Sequence, residues 1–489
     1  MKAEKNIRTD GVIRMLPGER FTPFALAQKL KAKILFESST FERGKSRYSL
    51  LVLDEAFRLI QRGETVYFKV NGDPERKFDS VPVRDILEAA TYFADQHPPL
   101  HQDFPYPCGG FGYVGYEFAA RCDKIRMTPK TDTIGIDDAV FLYGHIYLIY
   151  DHHADVIYLH GVNYHEHQID LAKALDDVEC RIRDLDFNYL MNSNDAHMVE
   201  IIEEKGADER FLAGVRSLKR DIENGSMIQA VLSRRLEIQT NRPSFESYRR
   251  LRSLNPSPYM FHIDFGDFQI FGTSPEVHIK AKEGMLTIRP LAGTRPRSDD
   301  PELNTLRVKE LLEDEKERAE HMMLVDLARN DLGRVAKTGT VKVTRTMTIE
   351  QYSHVMHIAS QVEAELGPEH TVLDALRASF PAGTVSGAPK IRAMETLDKL
   401  EIHPRRFYSG IVGYFEPGGD FDTCIAIRCA LQKGDRLFLQ AGAGIVYDSD
   451  PDTELAETNH KLAALLKALG LPTPSAEPAE SAEPVAATA

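Results

Sequence analysis

Two pairs of glutamates have a spacing that could hold a metal ion. Glu317 and Glu320 lie three residues apart in segment 314–331, whose apolar residues recur at helical spacing, and Glu454 and Glu457 repeat that interval. Side chains three or four residues apart share one face of a helix. Carboxylate oxygens suit Mg²⁺, which takes only one or two protein ligands. Each pair alone could be a solvated helix surface, but two such helices could hold one Mg²⁺ between them.

Two other residues could move protons. Glu276 follows the predicted strand Phe268–Phe271 at a turn fixed by Pro275. A partly buried carboxyl group there would have a raised pKa and could act as a general acid, whereas an exposed turn residue would not. His357 ends the alternating segment Ser353–His357, so it is either a core histidine or a proton donor in a cleft.

Two glycine-rich segments could bind an anion. Residues 381–390 (Pro-Ala-Gly-Thr-Val-Ser-Gly-Ala-Pro-Lys) lead into a predicted helix, where free N–H groups and the helix dipole attract negative charge. The segment lacks the spacing of a phosphate-binding loop, so a carboxylate fits better. Ala441–Gly444 precedes the helix of Glu457, and Lys461, one turn further on, could also meet an anion.

Composition excludes several classes of function. The formal charge of the 489 residues is −14 and no Lys/Arg-rich stripe occurs, which argues against nucleic acid as a partner. The five cysteines include no CxxC pair, so neither a disulfide framework nor a zinc site is expected. The amino terminus lacks a signal-peptide apolar segment, and no apolar run has membrane length. We therefore expect a cytoplasmic protein without a membrane partner.

The pattern of elements predicts an α+β protein. Short strands alternate with helices and hairpin-like pairings rather than regular βαβ units. Ala139–Tyr143, His145–Tyr150 and Val156–His160 are predicted to be adjacent strands, and Leu171–Leu185 an amphipathic helix. Four regions are expected: an amino-terminal region 1–187, a polar linker 188–204, a catalytic region 205–467, and a disordered Pro/Ala/Ser/Glu-rich tail 472–489.

Three motifs resemble those of the chorismate-utilising enzymes, especially the members that form anthranilate. They are Glu317-Arg-Ala-Glu-His with Val325-Asp-Leu-Ala-Arg-Asn-Asp, Gly383-Thr-Val-Ser-Gly-Ala-Pro-Lys, and the run Gly442–Lys461. The resemblance is strong over 205–467 and extends to the region before it. It implies an α+β fold, a two-lobed β-sandwich of antiparallel sheets flanked by helices, with the active site between the sheets.

The resemblance also implies a role for each motif residue. Glu320 and Glu457 are expected to bind Mg²⁺, with Glu317 and Glu454 as second-shell or water-mediated partners. Glu276 is expected to protonate the departing 4-hydroxyl of chorismate, and His357 to be needed for pyruvate elimination. The residues expected to bind the two carboxylates of chorismate are Thr384, Tyr408, Arg428, Gly442, Gly444 and Lys461.

Two positions bear on which reaction the chain performs. Ala292 stands where 4-amino-4-deoxychorismate synthases often carry a lysine nucleophile, and Gln229 where isochorismate and salicylate synthases carry a lysine that activates water. Without either amine, ammonia attacking C2 is expected, giving anthranilate and pyruvate in the first step of tryptophan biosynthesis. The alternatives are a 2-amino-2-deoxyisochorismate synthase, an aminodeoxychorismate synthase, or a catalytically inactive module that senses an aromatic amino acid.

Regulation and partners are likewise implied by the resemblance. Ser38, Pro258, Tyr259 and Met260 are expected to line a pocket for tryptophan as a feedback inhibitor. An ordinary strand end and proline turn is the alternative interpretation. None of the five cysteines lies in a Gly-x-Cys-x-Gly turn, so a separate glutamine amidotransferase subunit is expected to supply ammonia.

Overall fold

The computed structural model describes residues 11–40, 44–45, 47–98, 104–184, 197–352 and 355–472. The helices are Pro23–Leu30 (α1), Ile86–Ala94 (α2), Ala119–Cys122 (α3), Leu171–Arg183 (α4), Ala207–Glu223 (α5), Ser244–Leu254 (α6), Pro301–Glu313 (α7), Glu315–Gly333 (α8), Val372–Ser379 (α9), Lys390–Leu400 (α10) and Pro451–Leu469 (α11). Short 3₁₀ turns occur at Tyr116–Phe118, Gly383–Val385 and Pro417–Gly419.

The strands before residue 185 are Val12–Pro17 (β1), Ile34–Glu37 (β2), Ser39–Thr40 (β3), Gly44–Lys45 (β4), Tyr48–Val52 (β5), Glu55–Arg62 (β6), Thr65–Val70 (β7), Arg76–Lys77 (β8), Phe111–Val114 (β9), Ala139–Gly144 (β10), Ile146–Asp151 (β11) and Val156–Gly161 (β12). Those after residue 196 are Val199–Ile202 (β13), Gln229–Thr240 (β14), Tyr259–Asp264 (β15), Gln269–Ser274 (β16), Val277–Lys282 (β17), Met285–Ile288 (β18), Leu291–Pro296 (β19), Lys342–Gln351 (β20), Val355–Glu365 (β21), Gly387–Ala388 (β22), Ile411–Phe415 (β23), Phe421–Ile425 (β24), Cys429–Lys433 (β25) and Arg436–Ile445 (β26).

Two large antiparallel sheets form the centre of the described structure. Sheet I has the strand order β1-β12-β11-β5-β2-β15-β16-β25-β26-β14-β13, with β22 paired to β14. Sheet II has the order β19-β21-β18-β17-β24-β23-β9-β10-β6-β7-β8, with β20 paired to β21. A large apolar core contains side chains of both sheets, and a second core packs sheet I against α1, α4, α6 and α11. The expected α+β class with two antiparallel sheets flanked by helices is confirmed.

Both sheets take strands from either side of the expected linker. Sheet I pairs β2 with β15, and sheet II pairs β9 with β23. Most of segment 188–204 lies outside the described residues, but Val199–Ile202 is strand β13 at the edge of sheet I. These residues therefore belong to a sheet rather than to a polar linker. The tail beyond residue 472 also lies outside the described residues.

The prediction that three successive strands from residue 139 are neighbours is correct only for the last two. β11 and β12 pair along their whole length around the turn at 152–155. β10, by contrast, belongs to sheet II, because the chain crosses between the sheets at Gly144 and His145. A Cβ at Gly144 would lie 2.3 Å from Val52 Cγ1, so the crossing requires glycine. All three strands are rich in buried apolar residues, so the pattern does not indicate the sheet to which each belongs.

The two helices with paired glutamates begin with side-chain caps. The carboxylate of Asp314 accepts hydrogen bonds from the N–H groups of Lys316 and Glu317 and starts α8 at the predicted position. Asp450 caps α11 in the same way, with Pro451 in its first turn. α8 packs against β19, β21 and α9, while α11 packs against β26 and α6. Of the helices in the described ranges, none is long and apolar enough to cross a membrane.

Candidate active site

Two site residues lie where the chain passes from one sheet to the other. Glu276 stands between β16 of sheet I and β17 of sheet II, and Arg428 between β24 of sheet II and β25 of sheet I. The crossings are joined by two hydrogen bonds: Ser274 Oγ donates to Ile425 O (2.7 Å), and the N–H of Ile425 donates to Glu276 O (3.0 Å). The double crossing therefore fixes an acid and a guanidinium group beside each other between the sheets.

A cavity of about 220 Å³ lies at this crossing. Its walls come from β14 and β26 of sheet I, β19 and β21 of sheet II, helices α8 and α11, and the 3₁₀ turn 383–385. The sequence-predicted residues among its lining are Gln229, Glu276, Ala292, Glu320, His357, Thr384, Tyr408, Arg428, Gly442, Gly444, Glu457 and Lys461. Residues separated by more than 200 positions in the chain thus meet in one cavity.

Glu276 is suited to donate a proton near neutral pH. Burial raises the pKa of its carboxyl group to about 7, although Thr384 and Arg428 nearby oppose the rise. Thr384 Oγ1 is itself buried and lies near enough to the Glu276 carboxyl group to lower its pKa, although no hydrogen bond of normal geometry to it is formed within the described residues. The hydroxyl group can therefore turn from the acid to a bound ligand.

Arg428 is held in an unusual backbone conformation. Its φ is +52°, a left-handed value that costs a non-glycine residue free energy, and its carbonyl accepts a hydrogen bond from the N–H of Thr273 (3.1 Å). Burial lowers the pKa of the guanidinium group, but nearby Tyr408, Glu457 and Glu276 oppose that shift. A buried guanidinium that faces a cavity is suited to bind a carboxylate by two parallel hydrogen bonds.

His357 is a neutral imidazole with a defined proton position. Burial, with Arg428 and Lys461 nearby, lowers its pKa to about 4, although the hydrogen bond to Gly293 opposes the shift. Its Nδ1 lies 2.9 Å from Gly293 O and 3.1 Å from Thr294 Oγ1. Because a carbonyl oxygen only accepts, Nδ1 carries the hydrogen and Nε2 keeps its lone pair. At neutral pH the side chain is therefore a proton acceptor, not the donor that the sequence suggested as one alternative.

Two glycines of β26 form the floor of the cavity. A Cβ at Gly444 would lie 2.8 Å from Gln229 Nε2, and one at Gly442 would lie 3.2 Å from the Tyr408 hydroxyl oxygen. Lys461 Nζ donates to Gly442 O (2.7 Å) and also contacts Glu457. The absence of side chains at these two positions leaves space for a planar ligand above the strand.

The four predicted metal-site glutamates occupy different positions. Glu320 on α8 and Glu457 on α11 both line the cavity, with 33% and 44% of their side-chain surface exposed. The Glu317 carboxylate instead forms an ion pair with Arg295 (2.9 Å). Glu454 is buried, and its Oε2 has no hydrogen-bond partner within the described residues. Only one glutamate of each pair thus faces the cavity directly.

The surroundings of these carboxylates fit a hard divalent cation. The pKa of Glu320 is raised mainly by burial and further by Glu317 and Glu457, and burial also raises the pKa of Glu454 to about 7. Clustered carboxylates that repel one another gain stability when a cation binds. Within the described ranges no three His, Cys, Asp or Glu side chains are grouped closely enough to enclose a metal. Mg²⁺, which keeps several waters and binds one or two carboxylates, needs no such enclosure.

The cavity contains no unengaged protein amine among the described residues. Gln229 and Ala292 line it at the two positions where a lysine would matter, and Lys461 is bonded to Gly442 and Glu457. Sequence reasoning assigned no individual role in the site to the ten other lining residues, which are Val231, Pro275, Leu291, Gly293, Thr294, Leu324, Val385, Ile427, Gln440 and Ala441. Gln440 could have been found, because strand alternation places it on the same face as Gly442 and Gly444.

The expected regulatory residues surround the end of β2. Met260 pairs with Glu37 in the β2–β15 ladder, and continuing that register places Ser38 opposite Tyr259. Tyr259 packs in the core between the sheets and donates to Asp422 Oδ1 (2.6 Å), whereas Met260 packs in the core on the other face of sheet I. The prediction that Tyr259 and Met260 line one pocket together is therefore wrong, because consecutive strand residues point to opposite faces. Pro258 is buried and Ser38 half-buried at the same strand ends.

Comparison with known proteins agrees with this geometry. Residues 45–467 match the family model described as chorismate binding enzyme. The chain is 54% identical to anthranilate synthase component 1 of Spirochaeta aurantia, over 94% of this chain and 95% of that protein. It is 37% identical to anthranilate synthase component 1 of Acetivibrio thermocellus, over 92% of each.

Solved structures give the same result. The crystal structure of anthranilate synthase component I from Streptococcus pneumoniae has a TM-score of 0.74 and 36% identity, covering 86% of this chain and 92% of that one. The menaquinone-specific isochorismate synthase of Escherichia coli shares the fold, with a TM-score of 0.67 at 19% identity over 94% of each chain. The chain therefore belongs to the family of chorismate-binding enzymes, and it is similar over nearly its whole length to the component 1 chains of anthranilate synthase.

Proposed function

We propose that this chain is the large subunit of an anthranilate synthase, which converts chorismate and ammonia to anthranilate and pyruvate. The observation that carries the proposal is the cavity between the sheets. There a carboxyl group with a pKa of about 7, Glu276, lies beside a buried guanidinium group, Arg428, and an imidazole with a free acceptor nitrogen, His357. The retention of all these groups argues against a catalytically inactive sensing module.

In the proposed first step, ammonia forms a bond to C2 of the chorismate ring. The two ring double bonds shift, the C4–O bond breaks, and Glu276 transfers its proton to the departing hydroxyl, which leaves as water. The attacking nitrogen then loses one proton. The product is 2-amino-2-deoxyisochorismate. Because the pKa of Glu276 is about 7, a large fraction of the carboxyl groups is protonated at neutral pH.

In the second step, the ring becomes aromatic. The proton on C2 is removed and the C3–O bond to the enolpyruvyl group breaks, so that pyruvate leaves once its enol carbon gains a proton. We assign His357 Nε2 as the acceptor of the C2 proton, since Nδ1 already donates a hydrogen bond to Gly293 O. An enzyme without this base would stop at the amino intermediate, which is the product of the alternative 2-amino-2-deoxyisochorismate synthases.

Substrate binding follows from the charges around the cavity. We assign the binding of the two carboxylates of chorismate to Arg428, Lys461 and the hydroxyl of Thr384, which all line the cavity, as does Tyr408 beside Gly442. Glu320 and Glu457 would hold Mg²⁺, which when bound supplies positive charge for the ring carboxylate. The buried Glu454 and the Arg295-bound Glu317 would help to hold the Glu320 and Glu457 carboxylates in position.

Ammonia is proposed as the nucleophile because, among the described residues, the one amine that lines the cavity, Lys461, is engaged by Gly442 O and Glu457. Gln229 and Ala292 supply neither a lysine to activate water nor a lysine nucleophile. A lysine that activates water would favour an isochorismate-type product. A lysine nucleophile would favour an aminodeoxychorismate-type product.

A separate amidotransferase subunit is proposed as the source of ammonia. Burial raises the pKa of the thiols of Cys108, Cys122, Cys424 and Cys429, which keeps them protonated, and Cys180 lies exposed on α4. The similarity to proteins named component 1 supports a second component.

Product identification tests the proposal. Purified protein is incubated with chorismate, Mg²⁺ and an ammonium salt, and the products are resolved by mass spectrometry. Anthranilate together with pyruvate is the expected result, abolished by EDTA and by Glu320→Gln or Glu457→Gln. Accumulation of 2-amino-2-deoxyisochorismate alone, of an isochorismate or a 4-amino product, or an absence of turnover would each contradict the proposal. Full activity in excess EDTA would contradict the metal assignment.

A further inference from the structure

A buried arginine lies directly behind one wall of the cavity. Arg405, with 1% of its surface exposed, follows α10 and is not among the residues that line the cavity. Its Nε donates to Glu401 Oε2 (2.8 Å) and its Nη2 to Glu401 Oε1 (2.6 Å), a two-point ion pair. The guanidinium group also donates to Ser409 Oγ (3.3 Å) and to two backbone oxygens of the cavity wall.

Those backbone oxygens belong to two elements that are distant in sequence. Nη2 donates to Val231 O on β14 (2.6 Å), and Nη1 donates to Val385 O in the 3₁₀ turn 383–385 (2.7 Å). Both residues line the cavity, and Val385 immediately follows Thr384. One planar group thus bridges a strand of sheet I and the turn that presents the Thr384 hydroxyl, beside the backbone hydrogen bond from the Val231 N–H to Ser386 O (3.0 Å).

The same guanidinium group also contacts the ring of a third wall residue. The Arg405 Cζ lies 5.8 Å from the centre of the Tyr408 ring, and it stacks more closely on Tyr116 at 4.5 Å. Its partner Glu401 extends the network, because Glu401 Oε1 accepts from the Ser233 N–H (2.8 Å) and hydroxyl (2.7 Å). Ser233 Oγ in turn accepts from Gln440 Nε2 (2.8 Å), which lines the cavity from β26.

We propose that Arg405 is the positioning residue of this wall: it aligns Val231, Thr384–Val385 and Tyr408 so that they fit chorismate. A lysine at this position would keep the positive charge opposite Glu401. Its single ammonium group could not, however, donate to all the acceptors that lie in the plane of the guanidinium group. The turn 383–385 contacts α8 at Gly383, two residues before the Val385 carbonyl that Arg405 holds. The metal-site residues Glu320 and Glu457 lie on α8 and α11, and within the described residues neither Arg405 nor Glu401 forms a hydrogen bond to either helix. Loss of Arg405 should therefore impair chorismate binding while sparing Mg²⁺ binding. That chorismate is the ligand is inferred from the family to which the chain belongs. That chorismate is converted in this cavity rests on the proposed function.

The test compares chorismate binding with metal binding in Arg405→Lys. Calorimetry with chorismate and Mg²⁺ but no ammonia measures the dissociation constant without turnover. We expect it to rise about 10- to 100-fold, since a misplacement of about 1 Å can cost that much. The increase in Tm produced by Mg²⁺ alone should be unchanged. A folded variant that binds chorismate as tightly as wild type, or that loses both responses equally, would overturn the proposal.

A double variant separates positioning from stability. Replacing a buried ion pair by apolar residues of similar volume is often neutral or stabilising, so Arg405→Met with Glu401→Met should fold. It should nevertheless lose chorismate affinity as Arg405→Lys does. Wild-type affinity in this double variant would mean that the pair only stabilises the fold.

Arg377→Lys is the matched control. Arg377 is a second buried arginine, with hydrogen bonds of 3.0 and 2.8 Å from Nη2 to the carboxylate of Asp85, and it does not line the cavity. This variant should lower Tm without changing the dissociation constant of chorismate. If wild-type protein binds chorismate but forms no anthranilate, the proposed function fails while the binding comparison still decides the role of Arg405.

Discussion

At the scale of single residues, the acid Glu276 gives the sharpest expectation. Its burial raises the pKa to about 7, and Glu276→Gln removes the transferable proton while keeping the size of the side chain. We expect kcat to fall by about 10²- to 10⁴-fold, the usual contribution of a general acid, with chorismate binding retained. Steady-state kinetics and calorimetry on the same preparation measure both quantities. An unchanged kcat would place the acid elsewhere.

The same residue should make the unfolding free energy depend on pH. A carboxyl group whose pKa is higher in the folded than in the unfolded state stabilises the fold at low pH, and this contribution is lost as pH rises through the folded value of about 7. The Tm of wild type should therefore decline relative to that of Glu276→Gln as the pH rises from about 5 to about 8. Parallel Tm curves for the two proteins over these pH values would show that Glu276 is not buried as a neutral group.

The sequence predicted the cavity residues well but not how they are paired. Glu276 and His357 were singled out by residue type at a proline turn and in an alternating segment, which are local properties of the chain, and Arg428 by the family resemblance. The ion pair of Glu317 with Arg295, by contrast, depends on how α8 lies against β19. The tautomer of His357 depends likewise on a carbonyl 64 residues away. Such contacts arise only from tertiary packing, so no local pattern indicates them.

At the scale of elements, α8 is positioned by close contact with the glycine-rich turn. A Cβ on Gly383 would lie 1.7 Å from Leu327 Cδ2, so the turn and the helix can approach this closely only with glycine there. Gly383→Ala should push α8, and with it Glu320, away from the cavity. We expect a loss of about 1–3 kcal/mol in unfolding free energy, typical of overpacking, together with a higher Mg²⁺ concentration for half-maximal activity.

Gly333→Ala provides a control in the same helix. Gly333 ends α8, and a Cβ there would meet no atom within 4 Å. This variant should keep both stability and Mg²⁺ dependence. Equal effects of the two substitutions, measured by denaturant unfolding and Mg²⁺ titration, would show that the turn does not position the helix.

The hairpin of β15 and β16 connects the expected regulatory residues with the acid. The chain reverses at 265–268 between the two strands, and Tyr259 pairs with Ser274, two residues before Glu276. A ligand at Ser38 and Tyr259 would therefore act close to the catalytic carboxyl group. Inhibition requires that tryptophan bind the less active arrangement more tightly than the active one.

Ser38→Arg tests this link. The long side chain should fill the space beside Tyr259 and relieve tryptophan inhibition with little loss of uninhibited activity. Initial rates with and without millimolar tryptophan, measured for wild type and variant, give the comparison. A wild-type enzyme that is indifferent to tryptophan would leave this region as a structural turn.

At the scale of the whole molecule, the active-site cavity forms because the chain crosses between the two sheets. Each sheet joins one block of strands from before residue 185 to one block from after residue 196, and the crossings at Glu276 and Arg428 bring the acid and the guanidinium group together. The sequence could predict the α+β class from its mixture of periodicities. It could not predict that β10 and β11 enter different sheets, because strand order is set by pairings between distant segments.

The central claim is that this cavity joins external ammonia to chorismate. The most direct measurement uses ¹⁵N-ammonium with unlabelled chorismate and Mg²⁺, followed by mass spectrometry of the aromatic product from wild type and from Glu276→Gln. We predict that wild type yields anthranilate carrying the ¹⁵N label, in amounts equal to pyruvate, and that Glu276→Gln yields little of either. Label-free product, a hydroxylated product or equal yields from both proteins would contradict the account.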